Sequence, residues 1–456
     1  MRAIAMLAAG ALVTASAPLP APVRAQDGGG LPVVRDAEIE QLLRDYVAPV
    51  LRVAGLASQN VKVVILNDRA FNAFVMDGHH IFINAGTLSE AKTPNEVIGV
   101  LAHETGHLAG GHLSRLREQL ARAQTQSVIA MLLGIGAMIG TSRVNGGGVG
   151  AGAVLAPQET IRRSLLAYIR TQEDQADHAG VKFLTAAGQS PKGMYDTFKR
   201  LGDDMMFNSR VIDPYVQTHP MPAERVAALE VLAKASPYWD KKDSPELQLR
   251  HDLMRAKLSG FLDRADTVAR RYPLSDQSLP ARYARAISTY RHSDLRRAVE
   301  QIDGLIGAQP NNPYFYELKG QALLEGGKPA EAIAPLRHAV AHAPAPALIQ
   351  IMLGQALVAT NQPSQAEEAI TLLRTAIVRE PEAPDAYAQL AMAYGRKGDL
   401  AQADLSSAQA AFARGDLKTA RQLASRAKTR LPVGSPAWVR ADDLATVKSQ
   451  PGSKIN

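Results

Sequence analysis

The pentapeptide His103-Glu104-Thr105-Gly106-His107 constrains this chain more than any other feature. Two histidines four residues apart meet on one face only where the backbone is α-helical, so the pentapeptide predicts a helix around itself. The residues before it agree. Thr93-Pro94-Asn95-Glu96 joins an N-cap threonine, a proline suited to the first helical position and a glutamate three residues past the cap. Apolar Val97, Val100 and Leu101 follow, and the helix is expected to run from about Pro94 to Gln124. On it both imidazoles can reach one zinc ion, with Glu104 beside them to take a proton from water. That spacing suits water-activated peptide hydrolysis. His112, five residues past His107, points elsewhere on a continuous helix and is expected to be structural.

The chain has no cysteine, so a metal site must use histidine and carboxylate. A catalytic zinc keeps three protein ligands, which calls for a third one downstream. Residues 159–187 carry a second long helical pattern ending at Gly188, and Glu173 and Asp177 share a face of it. Glu173 can ligate zinc, and Asp177 can accept a hydrogen bond from a ligating imidazole. Upstream, residues 36–54 show a helical period in Ile39, Leu42, Leu43, Tyr46 and Val50. Residues 61–66 (VKVVIL) read as a strand. Asp77-Gly78 joins Asn72–Met76 to His79–Asn84 in a hairpin, which makes His79 and His80 structural. A small sheet therefore precedes the histidine helix.

The set HETGH, then EDQAD at 173–177, then Thr218-His219-Pro220 and Arg225, resembles the Ste24-like zinc endopeptidases over about residues 40–230. Asn72-Ala73-Phe74 followed by Ile81-Phe82-Ile83-Asn84 is similar to the strand pair those enzymes place beside the zinc helix. The resemblance implies an α+β zincin-like metalloprotease domain, mostly helical with a small sheet. It implies His103, His107 and Glu173 as ligands of one Zn2+ per chain, Glu104 as the general base and Asp177 as the partner of a ligand. It also implies Arg225 as a catalytic residue that steadies the oxyanion. In the periplasmic members with a repeat domain, a histidine in the His-Pro segment can reach the zinc and occupy the water position. The resemblance thus makes His219 the candidate for a regulatory fourth ligand that keeps this enzyme latent until substrate displaces it. Residues 75–80 (VMDGHH) depart from the small Gly-rich turn of the family. The departure touches the substrate-binding edge strand and leaves the zinc ligands alone.

Beyond residue 246 almost everything reads as helix. Residues 313–344 place Tyr316, Gly320, Leu323, Ala332, Leu336, Ala339 and Pro344 at tetratricopeptide-repeat positions. The next unit starts near Ala347 and a third near Pro384, the second carrying about three extra residues. Degenerate helix pairs flank them, which predicts an all-α tetratricopeptide-repeat solenoid with a protein-binding concave face. The chain thus divides into a signal peptide (1–25), a zinc metalloprotease domain (26–235), a polar linker with two prolines (236–246), the repeat domain (247–445) and a disordered tail (446–456).

Arg2, the apolar stretch 3–17 and Val23-Arg24-Ala25 follow the layout of a secretory signal peptide. Export of a chain without cysteine suits a bacterial periplasm. The net charge of +7 is mild, no dense Lys/Arg block stands out and aromatics are sparse, which argues against nucleic acid. Apolar residues 128–140 span about 20 Å as helix, too short to cross a bilayer. They suit a lid, a core helix or a peripheral membrane contact. The resulting expectation is a periplasmic zinc-dependent endopeptidase that degrades misfolded or stalled outer-membrane and other envelope proteins, with the repeats recruiting substrate or the outer-membrane assembly machinery. The alternative is a chaperone or assembly factor that works through its repeats and holds a latent protease site.

Overall fold

The computed structural model describes residues 31–122, 152–207, 214–343 and 345–447. The expectations for the signal peptide, the apolar insert 128–140 and the tail past residue 447 lie outside the described residues. Helix α1 (Ala37–Val53) starts on Asp36, whose side chain accepts from the Ile39 N–H. Its buried face carries Ile39, Leu42, Leu43, Tyr46 and Val50, as their spacing requires. Strands β1 (Val33–Val34), β2 (Lys62–Leu66), β3 (Ala73–Val75) and β4 (His80–Asn84) form one sheet in the order β1-β2-β4-β3. β2 and β4 run parallel, and the other two pairs are antiparallel. Asp77 closes the β3–β4 hairpin by accepting from the backbone N–H groups of His79 and His80. Ile65, Ile81 and Ile83 turn into the core shared with α1.

Helices α2 (Ala85–Glu90) and α3 (Pro94–Gly110) follow. Thr93 caps α3 through the Glu96 N–H, and the Glu96 carboxylate reaches back to the Lys92 N–H. The single helix expected from Pro94 to Gln124 is in fact two. Gly111 adopts φ +61°, ends α3, and α4 (His112–Arg122) sets off anew. Helices α5 (Gly152–Ala186) and α6 (Lys192–Phe207) pack on α3, followed by α7 (Pro214–Thr218) and α8 (Ala223–Lys234). Gly106 permits the close approach of α3 to α5: a Cβ there would lie 2.7 Å from the Ala176 carbonyl oxygen.

The polar segment after α8 is fastened to the fold. Ser236 accepts from Thr185 Oγ1, the Trp239 carbonyl accepts from Ser190 Oγ, and Asp243 accepts from the Asn95 N–H. Helix α9 (Pro245–Leu262) then serves two cores. Met254 and Leu258 join the core of α1, α3 and the sheet, while Leu253, Ala256 and Phe261 join the first core of the helical array. The array continues with α10 (Ala265–Arg271), then α11 (Leu279–His292) with α12 (Leu295–Ala308), and α13 (Pro313–Glu325) with α14 (Pro329–His342). Next come α15 (Ala347–Ala359) with α16 (Pro363–Arg379), α17 (Pro384–Lys397) with α18 (Leu400–Ala413), and α19 (Leu417–Lys428) with α20 (Pro436–Thr446). The extra residues of the second expected unit lie in α16, which has 17 residues against 14 in α14. The fold is a mostly helical domain with a small sheet, followed by a helical solenoid. No helix among the described residues is long and apolar enough to cross a membrane.

Candidate active site

Helices α3 and α5 cross where their titratable side chains face one another. His103 Nε2 and His107 Nε2 lie 3.1 Å apart, and each is 3.4 Å from an oxygen of Glu173. His219, just past the end of α7, adds its imidazole above them, with ring centroids 5.3 Å from both His103 and His107. His103, His107, Glu173 and His219 each offer one ligand atom, and these four atoms lie within 4.8 Å of one another. Glu104 is fully buried and accepts a hydrogen bond from the Tyr215 hydroxyl at 3.4 Å.

The surroundings hold this cluster in place. Asp177 Oδ1 stands 2.9 Å from His103 Nδ1, on the far side of the ring from the cluster. Arg225, from α8, forks onto both Asp177 oxygens at 2.7 and 2.9 Å, reaches Glu173 Oε2 at 2.9 Å and donates to the Pro220 carbonyl. Its guanidinium thus pairs with the two acidic residues of α5. His107 Nδ1 meets His112 Nδ1 at 2.9 Å. His112 therefore does not point away from the site as a continuous helix would require; the turn at Gly111 brings it back. Tyr215 stacks on His219 with centroids 4.4 Å apart. His79 and His80 sit at the hairpin, remote in role from this cluster, with His80 Nδ1 on Asp77.

The residues fit a divalent zinc. Tetrahedral zinc with bonds of about 2.0–2.1 Å to nitrogen and oxygen sets its donors roughly 3.3 Å apart, the spacing seen among His103, His107 and Glu173. Glu104, Glu173 and Asp177 are all buried around one guanidinium. That leaves an excess of two negative charges, which a dication cancels. Glu104 Oε2 is buried without a hydrogen-bond partner. Without a cation the groups compensate among themselves. Burial lowers His103, yet hydrogen bonds to Asp177 and Glu173 prevail and lift it to about 9. Burial holds Glu104 up at about 8, with Glu173 adding to the effect. Burial drives His219 down to about 4 and His107 well below the usual histidine range. Burial would raise Glu173, but His219, His103, Arg225 and His107 hold it well below the carboxylate range.

Comparison with known proteins agrees with this chemistry. Peptidase family M48 matches residues 35–233, and the tetratricopeptide repeat matches residues 283–347 and 351–403. The beta-barrel assembly-enhancing protease of Yersinia pestis is 25% identical over 387 residues, covering 83% of this chain and 76% of that one. The protein of the same name in Escherichia coli is 22% identical over 430 residues, covering 91% and 84%. Metalloprotease YcaL of Escherichia coli is 29% identical over 143 residues, which are 31% of this chain and 50% of that one. A metal-binding cluster on two crossed helices lies in the segment that matches peptidase family M48, ahead of the matched repeats, so this chain carries a zinc metalloendopeptidase domain similar to that family, followed by a tetratricopeptide-repeat domain.

Proposed function

We propose that His103, His107 and Glu173 hold the zinc, and that the enzyme degrades misfolded or stalled outer-membrane and other envelope proteins in the periplasm. The observation that carries the ligand set is the convergence of those donors, with His219, within 4.8 Å. Bound zinc supplies a Lewis acid that polarises the scissile carbonyl and makes water acidic. Glu104 takes the proton from the attacking water and delivers it to the leaving amine. Asp177 aims His103, and Arg225 fixes Asp177 and Glu173. His219 is a fourth donor that keeps the site latent until substrate displaces it. The names of the Yersinia pestis and Escherichia coli relatives support the envelope substrates, and the signal-peptide pattern of residues 1–25 supports the compartment. The repeats then bind substrate or the assembly machinery.

Zinc content and proteolysis test the reading together. Wild type should carry about one zinc per chain, and Glu173→Ala should lose it. Glu104→Gln should keep zinc and the fold while peptide hydrolysis falls by about 10²–10⁴-fold. A wild type that takes up no zinc at neutral pH sinks the ligand set. The chaperone reading draws on the proximity of His219 to the zinc donors, because a latent site leaves the repeats as the working part. Full rescue of a deletion strain by Glu104→Gln would favour it over proteolysis.

A further inference from the structure

His103 has a carboxylate behind it, whereas His107 has another histidine. The route by which His112 arrives there is specific. Gly111 takes a left-handed φ of +61°, and its N–H bonds to the carbonyls of His107 and Leu108. The chain thereby re-enters a helix at a new angle. His112 is buried at 3% exposure and meets the His107 ring edge-on, with centroids 5.0 Å apart at 84°. The ring lies flat over Gly110, where a Cβ would stand 2.3 Å from His112 Nε2. Any larger residue at 110 would displace it. Helix α5 supplies a further support: Gln172 Nε2 donates to the His112 carbonyl. The helix that brings Glu173 and Asp177 thus also holds His112.

Two Nδ1 atoms 2.9 Å apart share one proton, so one ring donates and the other accepts. His107 turns its Nε2 into the cluster, so that atom is bare and the proton of the neutral ring sits on Nδ1. His112 must then accept at Nδ1 and carry its own proton on Nε2. We propose that His112 is the positioning residue of His107: it fixes the Nδ1–H tautomer and aims Nε2 at the zinc, the task that Asp177 performs for His103. This inference rests on the ligand set proposed above. Gly110-Gly111 is the device that makes it possible, the one residue by leaving room for the ring and the other by turning the chain.

The test is zinc affinity of the full-length protein, measured by competition with a chromophoric chelator. His112→Phe keeps a ring but has no acceptor, and should weaken zinc binding by about 10–100-fold. His112→Asn places an amide oxygen near the position of Nδ1 and should restore most of that loss. Gly110→Ala, which keeps His112 but pushes its ring aside, should weaken binding in the same direction. Long-range 1H–15N spectra of the zinc-loaded wild type read the tautomers with no substitution at all. They should show His107 protonated at Nδ1 and His112 at Nε2. A proton on His112 Nδ1, wild-type affinity in His112→Phe, or an Asn variant as weak as the Phe variant overturns the inference. Glu173→Ala separates the two levels. If it loses zinc while His112→Phe does not, the His112 role alone fails. If the wild type binds none, or Glu173→Ala keeps it, the ligand set fails and takes this inference with it.

Discussion

At the scale of single residues, the site is held by where its protons and charges can go. Arg225 shows this best. Its fork onto Asp177 and its third contact to Glu173 neutralise buried carboxylates that would otherwise face each other. Lysine cannot reproduce that planar fork. Arg225→Lys should therefore lower both zinc affinity and melting temperature, with up to about 3–5 kcal/mol at stake if the buried pairing is lost. A variant with normal zinc and stability but depressed kcat would assign Arg225 the oxyanion role instead. His219 offers a second measurement: His219→Ala should raise proteolysis several-fold if its imidazole blocks the site, and a fall would refute latency. The pairs His103 with His107 and Glu173 with Asp177 were legible in the sequence because helical spacing of four residues places side chains on one face, and Glu104 was read from its place beside His103. His112 was not, because the reading carried the helix through Gly111. The adjacent Gly110-Gly111 pair was the available signal, since glycine commonly ends a helix in the left-handed conformation. Tyr215 left no signal, because its contacts to Glu104 and His219 depend on how α7 folds back over α3.

At the scale of elements, the edge strand β3 beside α3 is where an extended substrate would add to the sheet. The Asn84 N–H donates to the Asn72 carbonyl, so 72/84 and, two residues on, 74/82 are hydrogen-bonded pairs. The backbone groups of Val75 then face away from β4 along the edge of β3, whereas Ala73 is fully buried. A substrate in extended form can pair with Val75 as part of an added strand. Val75→Pro removes one outward N–H and leaves the β3–β4 ladder intact, a substitution that edge strands tolerate. It should cut kcat/KM by roughly tenfold, the cost of about one 1.4 kcal/mol hydrogen bond. Zinc content and melting temperature should stay near wild type. An unchanged kcat/KM would place substrate binding elsewhere. This hairpin was readable from Asp77-Gly78, and the helix pairs from their period, because both signals are local. The two-residue β1 and the parallel pairing of β2 with β4 were not. One is too short to show alternation, and the other joins strands whose register is set by the shared core rather than by a turn.

At the scale of the whole molecule, the protease half and the repeats are joined by more than a connector. Arg35 pairs with Glu380 of the third matched helix pair, and Ala37 packs against Ala339 and Ile349. Behind them Lys257 of α9 is buried among Asp36 at 2.8 Å, Glu38 at 3.2 Å and Glu317 at 3.7 Å. Tyr283 donates to Glu38. The start of α1 thus lies against α9, α11, α13, α14 and α15. Composition alone suggested a polar linker at 236–246, because the contacts that fasten the halves join residues far apart in sequence. One ammonium cannot balance three buried carboxylates, so burial raises Glu317 to about 8 against the pull of Lys257. Its unfolded value is near 4.5. Between those two values the native protein keeps a proton that the unfolded chain has released, so stability falls as pH rises through this window. Glutamine cannot ionise and escapes that loss. Glu317→Gln should melt close to wild type at pH 4.5 and above it at pH 8, with each 1 kcal/mol recovered worth about 2–4 °C. The opposite crossing, with the glutamine variant weaker at pH 8 than at pH 4.5, would mean that an ionised Glu317 holds Lys257 and that the junction depends on a salt bridge there instead of a shared proton.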